Sequence, residues 1–269
     1  MTAFCPGYVA APFDELVQDY PDHTAYPYND FRVEWGPIFH RGRLDGSARV
    51  LVIGQDPGQH ENVLRRILAG EAGRRVQGFL AKLGIIDSYV LINALLYSVA
   101  SKQGASYVNQ PVIQSYRDLW LDAILAPGNI EAVVTFGTMA RDAWRSYERR
   151  RKLTGTLAVE YLTHPTFPMS AGGDAAEKAA NTKKMLAQWS RALPALHAAL
   201  LHPDRPVAAP VPYGTGFKAK DKADIPARDL PPGIPAWMYD DDGWAKRVGS
   251  KPALKRRNIT LTVPNGVIP

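Results

Sequence analysis

The stretch VLVIGQDPGQHE, Val50 to Glu61, runs four apolar residues into an abruptly polar turn. An unbroken run of Val, Leu, Val and Ile predicts a strand buried on both faces, the pattern of a parallel sheet. Gly54 and Gly58 permit close backbone approach, and Pro57 stiffens the turn, so Asp56 is set at the strand tip. Two readings of Asp56 stand. It caps backbone N–H groups in an Asx-turn, the commoner fate of a lone Asp-Pro-Gly, or it positions and activates water.

Working outward, three more apolar runs predict strands: YVLIN (Tyr89–Asn93), EAVVTFG (Glu131–Gly137) and LAVEYLTH (Leu157–His164). Helical patterns lie between them. RRVQGFLAKLG places Val76, Phe79, Leu80 and Leu83 on one face. PVIQSYRDLWLDAIL starts with Pro111 at the first helical position and repeats Val112, Tyr116, Leu119 and Trp120 on one face. TMARDAWRSYERR begins at Thr138, read as an N-cap, and a last helix spans Asp174 to about His197, disturbed at Pro194. Strands alternating with helices predict an α/β fold, a three-layer α/β/α sandwich around a mostly parallel four-stranded sheet. In such sheets the site lies beyond the carboxyl ends of the strands, here GQDPG, NALL, FGTMA and THPTFP.

At 269 residues and 46% hydrophobic, the chain can bury a full core. A single cysteine, Cys5, excludes an internal disulfide and a Cys-ligated iron–sulfur cluster and suits a reducing cytosol. No apolar run reaches the ~18 residues of a membrane helix, and the first residues lack the features of a signal peptide. A cytoplasmic monomer without membrane contact is therefore expected. The net charge of +6 favours a polyanionic partner without identifying one. Beyond Leu201 the composition changes: eleven of the 22 prolines fall there, with KAKDK and KRR charge runs. Residues 1–200 read as the catalytic domain, and 201–269 as a basic extension that wraps the core or is partly disordered.

Two more strand ends carry chemistry. Asn93 offers a paired donor and acceptor that suit the N3–H and O4 edge of uracil, although a structural Asn is the commoner case. His164, followed by Pro165, can donate to a developing oxyanion as a neutral imidazole, although a lone His-Pro is more often a turn. The six histidines are scattered, with no metal-ligand spacing on a helix.

In this order, each at a strand end, Gly54-Gln55-Asp56-Pro57, Asn93 and His164-Pro165-Thr166 resemble the motifs of the uracil-DNA glycosylase superfamily. LAGEAGRRVQGFLAKLG is similar to the segment that opens a helix in the family 4 enzymes. The resemblance covers roughly residues 45 to 195 and implies release of uracil from single- or double-stranded DNA in base excision repair. It implies that Asp56 positions water, that His164 stabilises the uracil anion, and that Gly54, Gln55, Gly58, Leu68 and Asn93 form the base pocket. Where family 1 enzymes block the thymine methyl with a Tyr, this chain has Gly58, as family 4 enzymes do. The stacking Phe aligns with Leu68, which forgoes aromatic stacking of about 1–3 kcal/mol per base. Met169, with Phe167 as competitor, matches the residue that wedges into the gap left by the flipped base. Family 4 enzymes hold a [4Fe–4S] cluster through four cysteines; with one cysteine, no cofactor and no metal are expected here. Arg65, Arg66, Arg74 and Arg75 are candidates for phosphate contact. Release of mismatched thymine or of a deaminated purine is the enzymatic alternative, and non-catalytic binding of damaged or abasic DNA the other.

Overall fold

The computed structural model describes residues 8–238, 243–250, 254 and 257–267. Cys5, and Lys255 and Arg256 of the basic run, lie outside the described residues.

The unbroken apolar runs form strands because both faces are covered. Strands β2 (Val50–Gly54), β3 (Tyr89–Asn93) and β4 (Ala132–Phe136) are buried at every position. Alternation then sends side chains to opposite sides. Leu51, Ile53, Val90, Ile92 and Val133 face one core, and Val50, Val52, Leu91, Val134 and Phe136 face the other. The pairings β2–β3, β2–β4 and β4–β5 (β5, Ala158–Leu162) are parallel. A fifth strand, β1 (His40–Gly42), pairs antiparallel with β3 at the edge, giving the order β1-β3-β2-β4-β5. The expected four strands become five, because His-Arg-Gly carries no apolar run to read.

After a single turn, α1 (Phe13–Leu16), the helices are α2 (Gln59–Leu64), α3 (Glu71–Lys82), α4 (Pro111–Leu125), α5 (Thr138–Arg151), α6 (Phe167–Ser170) and α7 (Ala175–Ala199). Helices α4 and α5 cover the first core with Trp120, Leu121, Trp144 and Tyr147. Helices α3 and α7 cover the second with Val76, Phe79, Leu80, Trp189 and Leu193. Pro111 opens α4 as expected, but the buried face runs through Ile113, Tyr116, Trp120 and Leu121, while Val112 and Leu119 are exposed. Gly137, with φ 94°, is the N-cap of α5 rather than Thr138, because only glycine takes that turn without strain. Asp174 caps α7 in a reciprocal capping box with Glu177, and Pro194 lies inside the helix. Among the described residues no helix is long and apolar enough to cross a membrane.

Beyond α7 the chain packs back on the domain. Asp204 Oδ2 accepts the N–H groups of Ile86, Asp87 and Ser88 at 2.7, 2.7 and 2.9 Å, fixing the entry to β3. Asp221 Oδ1 pairs with Lys82 at 2.8 Å. Asp229 is fully buried beneath β1: its Oδ2 takes Arg41 Nη1 at 2.9 Å and the Tyr89 hydroxyl at 2.5 Å, and its Oδ1 takes Arg43 at 2.6 Å. A short hairpin, β6 (Ala245–Arg247) with β7 (Ile259–Leu261), follows. Leu64, Ala69, Ile225, Leu230, Trp244 and Ala245 form a third apolar cluster that joins it to α2.

Removing one partner of a buried ion pair strands the other charge. Asp229→Ala is expected to cost about 3–5 kcal/mol in urea unfolding, since Arg41 has no water to turn to. An unchanged midpoint and slope would remove the pair from its anchoring role.

Candidate active site

The parallel register sets Gly54 opposite Asn93 at the ends of β2 and β3. A Cβ on Gly54 would lie 2.2 Å from Asn93 Oδ1, so only glycine leaves room for the amide. Asn93 is 7% exposed, and its Nδ2 has no hydrogen-bond partner among the described residues. A buried donor left open is costly unless something comes to fill it. Leu68 Cδ1 approaches the same point over Gly54 to 3.6 Å. The Leu68 backbone is left-handed, φ 50°, an uncommon state for a side-chain-bearing residue.

Beyond the strand ends a cavity of about 700 Å³ opens. Gln55, Asp56, Gly58, Leu68, His164 and Met169 all line it, whereas Asn93 does not. Asp56 Oδ2 accepts the Val99 N–H at 2.9 Å. Burial pushes its carboxyl up to about 6, against the pull of that N–H and of Arg247 and Arg32, with Glu61 adding to the rise. His164 goes the other way: burial, then the Arg75 charge, pull it down to about 4. The imidazole is thus neutral near pH 7. Its Nδ1 faces the Thr166 N–H at 3.3 Å and the Thr166 hydroxyl at 3.1 Å. A backbone N–H can only donate, so Nδ1 accepts and the ring proton sits on Nε2. Arg75 ties this loop to α3 by donating to Pro165 O at 2.6 Å while pairing with Glu71.

Two further placements sort the remaining candidates. Gln55 turns its Oε1 to the Met139 N–H at 3.3 Å, at the start of α5. Gln55 and His164 also border an adjoining hollow of about 660 Å³, and Phe167 lines that hollow while Met169 lines the Asp56 cavity. Met169 is 62% exposed and Phe167 43%.

The four candidate phosphate-binding arginines do not converge on the cavity. Arg65 donates to Trp35 O and Pro37 O, and Arg66, 6% exposed, donates to Arg65 O. Arg74 pairs with Asp224 at 3.1 Å. Of the four, Arg75 alone lines the cavity, stacked 4.4 Å over the Phe217 ring.

Glu61, Ser98, Arg32 and Arg247 also line the cavity. Glu61 is buried, its Oε1 accepts the Ala69 N–H at 3.1 Å, and its Oε2 would lie 2.4 Å from a Cβ on Gly58. The room left by Gly58 is therefore filled by Glu61, three residues on in the first turn of α2. Ser98 donates to Pro57 O at 2.5 Å and accepts from Arg32 and Arg247, so it binds the segment after β3 to the Asp56 turn. Those residues carry no local motif; the fold alone brings them together. Among the described residues no group of three or more His, Cys, Asp or Glu is placed to hold a metal ion.

The profile described as the uracil DNA glycosylase superfamily matches residues 41–201. No curated protein matches the chain.

Crowding at Gly54 has a direct consequence. Gly54→Ala is expected to displace the Asn93 amide and to cost about 1–3 kcal/mol in thermal or urea unfolding. Gly214→Ala, where a Cβ meets open space, should leave stability within about 0.5 kcal/mol of the parent.

Proposed function

The chain belongs to the uracil DNA glycosylase superfamily and carries a DNA glycosylase function, and we propose that the base it releases is uracil. In this reading residues 1–200 are the catalytic domain and 201–269 an extension of it, and the protein acts as a cytoplasmic monomer that needs no metal or cofactor. The observation that supports it most is the meeting of Asp56, Leu68 and His164 at one cavity, beside an Asn93 amide whose donor is unfilled.

The chemistry follows from those groups. Inside a duplex the glycosidic bond is shielded, so the nucleotide must leave the stack. Asn93 then supplies Nδ2–H to O4 and Oδ1 to N3–H of uracil; cytosine presents the reverse pattern and is rejected. Leu68 has to turn aside for that edge to reach the amide. As the bond breaks, negative charge grows on the base, and the Nε2–H of neutral His164 donates to O2. A neutral donor near pH 7 gives up no proton in doing so. Asp56, as carboxylate, holds the attacking water and offsets the positive charge of the sugar. Glu61 closes the space that Gly58 leaves open, and in this reading Met169, which lines the cavity, fills the gap left in the strand.

A base-release assay on U:G, T:G and hypoxanthine duplexes and on single strands, without added metal, tests the substrate. Uracil should be released and the others not; preferential thymine or hypoxanthine release would replace the reading, and tight abasic binding without release would make the protein a binder. Asp56→Asn and His164→Ala should each slow release by about 10²–10⁴-fold. Near-normal rates in both would sink the assignment.

The pH profile is a separate check. Asp56 works deprotonated, and its carboxyl is pushed up to about 6, so activity should rise as pH passes upward through about 6. His164, pulled down to about 4, stays neutral across that range and adds no second limb there. A profile flat from about pH 5 to 8 would contradict Asp56 as the water-positioning group.

A further inference from the structure

The family match ends at residue 201, yet the wall of the Asp56 cavity includes Arg247. This arginine reaches the site on β6, which is docked in two ways. The Gln59 side-chain amide pairs with the strand as a neighbouring strand would, donating from Nε2 to Ala245 O at 2.6 Å and accepting the Arg247 N–H at 3.2 Å. Trp244, 2% exposed, fills the third apolar cluster and meets the His60 ring edge-on at 5.0 Å. The backbone of the hairpin is thus fixed without help from the Arg247 side chain.

That side chain is placed for a ligand. Among the described residues its guanidinium is hydrogen-bonded by a neutral hydroxyl, Nη2 donating to Ser98 Oγ at 2.8 Å, and the carboxylates of Asp56 and Glu61 act on it through their charge alone. A guanidinium carries five N–H donors in a planar fork that matches a phosphate. The charge of the wall points the same way. Asp56, Glu61 and Glu71 line the cavity together with Arg32, Arg75 and Arg247. Arg75 is paired with Glu71, and Arg32 donates to Ser98 Oγ and Val99 O. Without Arg247, two arginines would stand against three carboxylates, a poor reception for a polyanion. Arg65, Arg66 and Arg74 are committed to partners elsewhere and do not line this wall.

We propose that Arg247 binds a backbone phosphate of DNA beside the extruded nucleotide, which makes the C-terminal hairpin part of the substrate site. The proposal rests on the reading of this cavity as a DNA glycosylase site. Phosphate contact by this one cation fixes where the strand enters and sets the flipped nucleotide over Asp56.

Binding to an oligonucleotide carrying a tetrahydrofuran abasic analogue, followed against salt concentration, tests it. Arg247→Ala, and Arg247→Gln, which keeps a donor for Ser98 but loses the charge, should bind about tenfold more weakly, with the slope of log K against log salt shallower by about 0.7–0.9. Arg247→Lys should keep the slope. A methylphosphonate at the phosphodiester 5′ or 3′ to the analogue should weaken the parent protein and leave Arg247→Gln unaffected at one of the two positions. Equal salt slopes in parent and Arg247→Gln, or equal methylphosphonate losses at both positions, would overturn the proposal. The analogue has no base to release, so an absence of uracil release in a separate assay would refute the substrate reading and leave this result standing.

Discussion

The parallel register of β2 and β3 is the constraint on which the site depends. It puts Gly54 level with Asn93, and the missing Cβ lets the amide sit against the backbone. Past the strand ends the two segments stay joined, with the N–H groups of Ala94 and Leu95 held by the carbonyls of Gly54 and Gln55 at 2.9 and 3.0 Å. Because β4 and β5 run the same way, His164 emerges at the same edge of the sheet as Asp56. Parallel strands thus gather residues more than a hundred positions apart without a special contact for each.

The same burial acts in opposite senses on the two ionisable groups. Removing water disfavours the charged form, which raises the carboxyl of Asp56 and lowers the imidazole of His164. For His164 this suits a neutral donor. For Asp56 it opposes the ionised form that the proposed chemistry requires. Between its ordinary value of 3.8 and about 6 the folded state holds the Asp56 proton more tightly than the unfolded chain. Its contribution to stability therefore falls as pH rises through that window. The Val99 N–H and the charges of Arg247 and Arg32 limit the rise.

Arg41 and Asp229 carry an equivalent role for the extension. Both are fully buried, and Tyr89 and Arg43 complete the coordination of the carboxylate. A charge taken from water in this way is tolerated only with its partners in place, so the chain beyond α7 is committed to one path across the β1 edge. That path ends at the hairpin docked on Gln59 and on the apolar surface of α2.

How much was legible in the sequence follows from the range of the forces involved. The strands β2, β3 and β4 and the helices α3 and α4 follow from apolar periodicity, which is local, whereas the short α2 was not read from it. The strand-end residues Asp56, Asn93 and His164 were legible because strand termini in parallel sheets converge. Strand β1 was not legible, since three residues without an apolar run become a strand only when β3 offers an open edge. The buried face of α4 shifted from Val112 and Leu119 to Ile113 and Leu121, because the helix was rotated by what it packs against. Only the tertiary structure decided that Glu61 fills the space at Gly58, that Arg65, Arg66 and Arg74 are bound to partners within the chain, and that Arg247 reaches the cavity. Charged side chains find partners through space, and sequence separation, nearly two hundred positions between Asp56 and Arg247, carries no information about which ones meet.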